Sequence, residues 1–202
     1  RKALYEAVYA SGNAAQRQLA ANALASIAIQ EDRTEDARRY LEETEGRTED
    51  AALLRIQLEQ KTGENDKALE EIQKQLYRAV SQALQMLMML MQTKEDAREA
   101  LEIAKIYRRV EAIFAVGGGM SAGLLMQQYM VMGRRKEALA CLTQMVDASV
   151  GKPMTPNPLL FNPTFKPKAD WRDAGRELRT ALLRGLKEDE TLSSLRGEKE
   201  YE

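Results

Sequence analysis

The chain has 202 residues, with hydrophobic residues at 44%, charged residues at 30%, and 30 Lys and Arg against 31 Asp and Glu. That length is enough for one sizeable core or one stacked array, and the even charge balance points to neither nucleic acid nor a membrane surface. Histidine is absent, which removes the commonest general base and zinc ligand and every imidazole-dependent triad, so neither an enzyme nor a metal or cofactor site is expected.

The single cysteine, Cys141, sits in an apolar helical run with Ala138, Leu139 and Leu142. A buried, inert thiol is expected there rather than a reactive one, and a lone cysteine forms no internal disulfide. The longest apolar stretch, Met86 to Met91, falls far short of the roughly 20 residues of a membrane span. No charged-then-apolar leader is present, and a cytoplasmic location is expected. The chain opens at Arg1 already in helical pattern, with Ala3, Leu4, Ala7 and Val8, so a preceding segment is expected.

In chain order, apolar periodicity predicts helices over 2–11, 14–30, 34–44, 48–61, 66–92, 94–115, 120–132, 135–149 and 170–187, with a short helical turn over 189–195. Thr34 with Glu35 and Asp36, and Asp170 before Trp171, have the composition of helix starts. No glycine or proline falls between Asn65 and Thr93; one long helix of roughly 40 Å is expected there. Its end, Leu84 to Met91, is apolar nearly all round, which predicts burial on several sides. All five prolines lie between Pro153 and Pro167. The expected organisation is a helical array over 1–150, a proline-rich crossing segment over 151–168 and capping helices over 169–202. In the crossing segment, Leu159, Leu160, Phe161 and Phe165 are too apolar for a free linker. Phe161 or Phe165 is expected to dock, with Trp171 anchoring the final helix.

Self-similarity runs through the array. Ala122, Leu125, Met126, Tyr129, Gly133, Ala138 and Leu142 place small residues where two antiparallel helices approach, a glycine in the turn and large apolar residues in the seam. Ala21, Leu24, Ala25, Ala28, Asp32, Ala37 and Leu41 form a second copy, with Asp32 where the first has glycine. Weaker echoes lie at Gly63, Ala68 and Ile72 and at Leu84, Met88, Ala97, Leu101 and Ala104. The marker alanines Ala37, Ala68, Ala97 and Ala138 scatter around a period of about 34. This pattern resembles the tetratricopeptide repeat. The implied fold is all-α: an irregular right-handed array of antiparallel helix pairs with one long central helix and a C-terminal capping helix.

Three stretches carry a closer resemblance. They are Glu99, Ala100, Leu101, Ile103, Ala104, Ile106, Tyr107, Ile113 and Phe114 before Gly117, Gly118 and Gly119; Arg134, Lys136, Glu137, Ala138, Leu139, Leu142 and Ala148; and Glu188, Asp189, Glu190, Leu195, Arg196, Gly197 and Tyr201. Together they resemble the C-terminal regulatory halves of bacterial Xre-like (Cro-repressor-type) helix-turn-helix transcription regulators. The resemblance implies a sensor or oligomerisation half that binds a peptide or protein, with a homodimer as a further association. DNA would be bound only through a domain outside this chain, since no helix-turn-helix is evident within it. A stand-alone scaffold or adaptor is the alternative.

In the repeat register, the partner-binding candidates are Asn22, Ser26 and Ile29, then Gln82, Met86 and Met89, then Gln127, Met130 and Val131. Asn and Gln can pair with the backbone of an extended peptide, and Met adapts to different side chains. Methionine at helical spacing is also ordinary core filler. Gly117, Gly118 and Gly119 lack a preceding strand and a following Gly-Lys-Ser/Thr, so they read as a hinge rather than a phosphate cradle. The clusters Glu42, Glu43 and Glu45, and Glu188, Asp189 and Glu190, read as solvated faces. Arg108 and Arg109, with Arg134, Arg135 and Lys136, read as salt-bridged surface.

Overall fold

The computed structural model describes residues 1–43, 48–150, 156–163, 165, 180, 184, 185, 187, 188, 192 and 195. Among the described residues the chain is all-helical, with no strand and eight helices. These are α1 (Lys2–Ser11), α2 (Ala14–Gln30), α3 (Thr34–Glu43), α4 (Glu49–Lys61), α5 (Asn65–Gln92), α6 (Ala97–Phe114), α7 (Met120–Val131) and α8 (Arg135–Val150). The expected long central helix is α5. No helix among the described residues is long and apolar enough to cross a membrane. The expected helix over 170–187, its cap Asp170 and its anchor Trp171 lie largely outside the described residues. The chain divides into two units, Arg1–Leu76 and Tyr77–Glu202, and the division falls inside α5.

Within the first unit, α1 packs on α2, α2 on α3, and α4 on both α2 and α3. The shared core is Ala21, Leu24, Ala25, Ala28, Ile29, Ala37, Tyr40, Leu41, Ala51 and Leu58, with Tyr5, Tyr9 and Leu54 packed against it. Its many alanines keep the helix axes close, and Leu24 and Leu41, each 1% exposed, contribute roughly 1.5 to 3 kcal/mol apiece by leaving water. Tyr9 and Tyr40 meet edge to face at 5.3 Å. At the start of α2, Asn13 and Gln16 exchange side-chain and backbone hydrogen bonds, a reciprocal cap.

Three turns share one geometry. After α2 the Arg33 N–H donates to Ala28 O, after α4 the Glu64 N–H donates to Glu59 O, and after α7 the Arg134 N–H donates to Tyr129 O, each at 2.8 Å. The residue before each donor is left-handed: Asp32 at φ 59°, Gly63 at 76° and Gly133 at 69°. This is the Schellman closure, which satisfies the orphan carbonyls of a helix end. Asp32 stands in for glycine because its short polar side chain tolerates that region better than most.

The donor of each turn also opens the next helix, its carbonyl accepting from an alanine four residues on: Arg33 from Ala37, Glu64 from Ala68, and Arg134 from Ala138. Those alanines are 0%, 2% and 0% exposed. The fourth echo follows the same rule in a different register. Asp96 caps α6 through its side chain, and its carbonyl accepts from Ala100, which is 3% exposed. Ala97, expected as the marker, is only half-buried. Asp96, not the residues around Lys94, sets the start of the helix, and with Ala100 in place the marker intervals become more even.

In the second unit α6 packs on α7 and α7 on α8. One cluster joins Met91 of α5 to Ala100, Leu101, Ile103, Ala104, Leu125 and Cys141. Cys141 is buried, and that burial pushes its thiol up, away from the reactive thiolate. A second cluster joins Ala138, Leu139 and Leu142 of α8 to Leu192 and Leu195, with Met126, Tyr129 and Met130 against it. Leu195 is fully buried, so a C-terminal leucine pair covers α8. The end of α5 departs from expectation. Leu84 and Met91 are buried, but Met86, Met89 and Leu90 are 65%, 52% and 48% exposed, so this end is buried along one stripe only.

Ion pairs tie the turns of the first unit together. Lys61 Nζ, at the end of α4, lies 2.5 Å from both the Ile29 carbonyl and the Asp32 carboxylate, placing a cation at the C-terminus of α2. Glu64 accepts from Lys67 and from Arg38 of α3. These two bonds, Lys67 first, hold its carboxyl down to about 2 against an opposing desolvation. A lowered folded-state pKa contributes stability that is present above the usual carboxylate range and lost as pH falls through the folded value.

Two outcomes follow. Ala115 closes α6 in the left-handed region at φ 51°; Ala115→Gly is expected to raise stability by about 1 kcal/mol and Gly133→Ala to lower it by about the same, read from urea midpoints at unchanged slope. Glu64→Gln is expected to be less stable than the parent at pH 7 and to lose less on acidification between about pH 4.5 and 2, read from urea unfolding across that range; parallel pH profiles would show that the pairs contribute nothing.

Candidate functional site

The expected partner-binding residues divide by unit. In the first, Asn22 is not on an open face: it is 8% exposed, and its Nδ2 donates to Thr48 Oγ1 at 3.2 Å. Thr48 Oγ1 in turn accepts from the Ala51 N–H at 3.2 Å, capping α4. Asn22 therefore braces the point where α4 lands on α2, and that landing is what buries it. Its Oδ1 is buried without a hydrogen-bond partner. Ile29 belongs to the core. Ser26 alone of the three keeps partial exposure.

In the second unit, Gln82, Met86 and Met89 lie at i, i+4 and i+7 on one face of α5, and all three are exposed. Leu90 extends the stripe, and no charged residue occurs between Arg78 and Lys94. Such a strip offers amides to a peptide backbone and flexible thioethers to its side chains. On α7, Gln127 and Val131 are exposed, Val131 at 69%. Met130 is half-buried against the cluster of Ala138, Leu142 and Leu195 and serves packing first.

The glycine loop holds a feature that sequence reading missed. Gly117, Gly118 and Gly119 have φ of 116°, 69° and 82°, following left-handed Ala115. They wrap the carboxylate of Glu111, which is 4% exposed. Its Oε1 accepts from the Gly119 N–H at 2.9 Å and its Oε2 from the Ser121 N–H at 3.3 Å. An added Cβ on Gly117 would fall 2.8 Å from Glu111 Oε1 and 3.1 Å from Leu84 Cδ1. The N-terminus of α7 is thus an anion site already filled by the chain's own carboxylate, with the helix dipole favouring the charge. The loop is a structural joint, and no free phosphate cradle remains in it. Tyr107, one turn earlier, has its hydroxyl pushed up by burial and by the Glu111 charge. The legible signal was the spacing: Ala100, Ala104, Tyr107 and Glu111 share the buried face of α6, so an acidic residue on an apolar face marked the joint.

The proline-rich segment docks on the second unit. Asn157 Nδ2 donates to Ile113 O at 2.8 Å and its N–H to Phe114 O at 3.2 Å, satisfying carbonyls at the end of α6. Phe161 is 2% exposed and stacks with Phe165 at 5.1 Å; Tyr77 meets both rings, at 6.2 and 5.6 Å. Of the acidic clusters, Glu42 and Glu188 are exposed, and the side chains of Glu43, Glu45, Asp189 and Glu190 lie outside the described residues. Arg184 pairs with Glu188 at 3.0 Å, with both side chains largely exposed. Arg134 pairs with Glu137 and lies 4.9 Å over the Tyr129 ring.

Glu111→Gln keeps one acceptor but sets its amide NH2 against one of the two backbone donors. It is expected to lose about 1 to 3 kcal/mol, and Glu111→Ala at least as much, measured by urea unfolding; unchanged stability would remove the joint. No family model, curated protein or solved structure matches this chain.

Proposed function

We propose that this chain is a protein- or peptide-binding regulatory domain of a bacterial transcription regulator, acting as its sensor or oligomerisation half, with DNA contact made by a domain outside this chain. The observation that carries the binding reading is the charge-free, exposed strip of Gln82, Met86, Met89 and Leu90 on α5. Contiguous apolar side chains left in water are a mark of interaction surfaces. The repeated turn-and-alanine unit supports the tetratricopeptide resemblance, since it supplies rigid helix pairs on which such a strip can be held. The resemblance of the second half to Xre-like regulators supports the regulatory context.

The reading is tested with the full-length gene product. It is expected to occupy promoter DNA, and its partner, captured with the tagged chain, is expected to bind about tenfold or more weakly to Met86→Lys/Met89→Lys, with circular dichroism unchanged. Undiminished binding to that variant would sink the α5 strip. Stable protein assemblies with no promoter occupancy would instead make the chain an adaptor.

A further inference from the structure

The segment from Pro156 to Phe165 has the properties of a ligand more than of a linker. Its turn is self-contained: the Leu159 N–H donates to Asn157 Oδ1 at 3.0 Å, and the Leu160 and Phe161 N–H groups donate to Asn157 O at 2.9 Å. Pro156, Pro158 and Pro163 stiffen it further. Leu159, at its tip, is 92% exposed, while Phe161 is buried beneath it. Two kinds of anchor hold the segment. Asn157 meets the Ile113 and Phe114 carbonyls at the end of α6, and Phe161 is buried with Phe165 against Tyr77 of α5. One amide reading exposed backbone and one aromatic filling a slot is the chemistry by which short peptides are recognised.

We infer that this segment is a detachable strap. The α5–α6 slot it fills is a peptide-docking site occupied in cis, and the same slot accepts, in trans, a proline-flanked turn presenting an Asn and an aromatic residue four positions later. The strap keeps the slot closed by proximity, because a tethered segment competes at an effective concentration on the order of mM. Its own preformed turn lowers the ordering cost of rebinding. The inference does not depend on the transcription-regulator reading, and its failure leaves the α5 strip untouched.

The probe is a labelled synthetic peptide with the sequence of residues 156–165, titrated into the full chain. Wild type is expected to show no saturable binding at micromolar peptide, and Phe161→Ala in the chain to bind it about tenfold or more tighter than wild type does. A peptide carrying the same substitution is expected not to bind. A folded variant that binds no peptide, or equal affinity for variant and wild type, overturns the inference. If Phe161→Ala fails to fold, Asn157→Ala carries the same comparison, and hydrogen exchange on the wild type adds a second readout. The Leu160 and Phe161 amides are expected to exchange roughly a hundredfold faster than those of Ala104 and Tyr107 through local opening. Equal protection would make the segment ordinary core and overturn the strap.

Discussion

The described fold depends on helix pairs, α2 with α3 and α7 with α8, that approach closely at one alanine. Ala37, Ala68, Ala100 and Ala138 each sit four residues after the group that opens their helix, and none is more than 3% exposed. One turn into a helix, that position points back toward the element just left, so its side-chain volume sets how near the two axes lie. A larger residue would wedge the pair apart and move every contact beyond it, at typically 1 to 3 kcal/mol for an overpacked site. At Ala37, Ala68 and Ala138 a left-handed turn residue comes with the alanine, because a connection this short must reverse the chain at once, whereas Ala100 follows the Asp96 cap.

Around that common joint the two units solve different problems. The first ties neighbouring turns with Lys61, Arg38 and Glu64. Exposed pairs of this kind contribute little each, so they trim the geometry while buried alanines and leucines hold it. The second must join α6 to α7 through four residues with positive φ, and there it buries a full carboxylate. Glu111 is tolerable at 4% exposure because two backbone N–H groups and a helix N-terminus face it.

Much of the fold was legible because its punctuation is local. Gly63, Gly133 and Asp32 mark turns by residue type alone, and the lack of glycine or proline after Asn65 correctly announced one long helix. The sequence marks Ala97 rather than Ala100 because the turn before α6 carries no glycine; Asp96, a cap, is the sign that sets the register. Asn22 was misplaced because a polar residue on α2 gives no hint that α4 will land on it. Periodicity says which face of a helix is apolar, but only the neighbours decide how much of that face they cover. That is why the Met-rich end of α5, apolar all round in sequence, is open along Met86, Met89 and Leu90 in the fold.

That open strip and the strap are distinguishable kinds of surface. Single exposed apolar residues such as Leu4 and Leu19 are normal on any protein. On α5 the exposed residues follow one helical line without a charge to interrupt it, and two are methionines, whose thioethers fit many shapes at little cost in strain. The slot under Phe161 is the opposite case: the Tyr77 ring, a fixed pair of carbonyls, and an occupant already in place. A partner on α5 would gain by covering surface that is already free, whereas a partner at the slot must first displace Asn157 and Phe161. The first contact is therefore governed by area, and the second by competition with the chain itself.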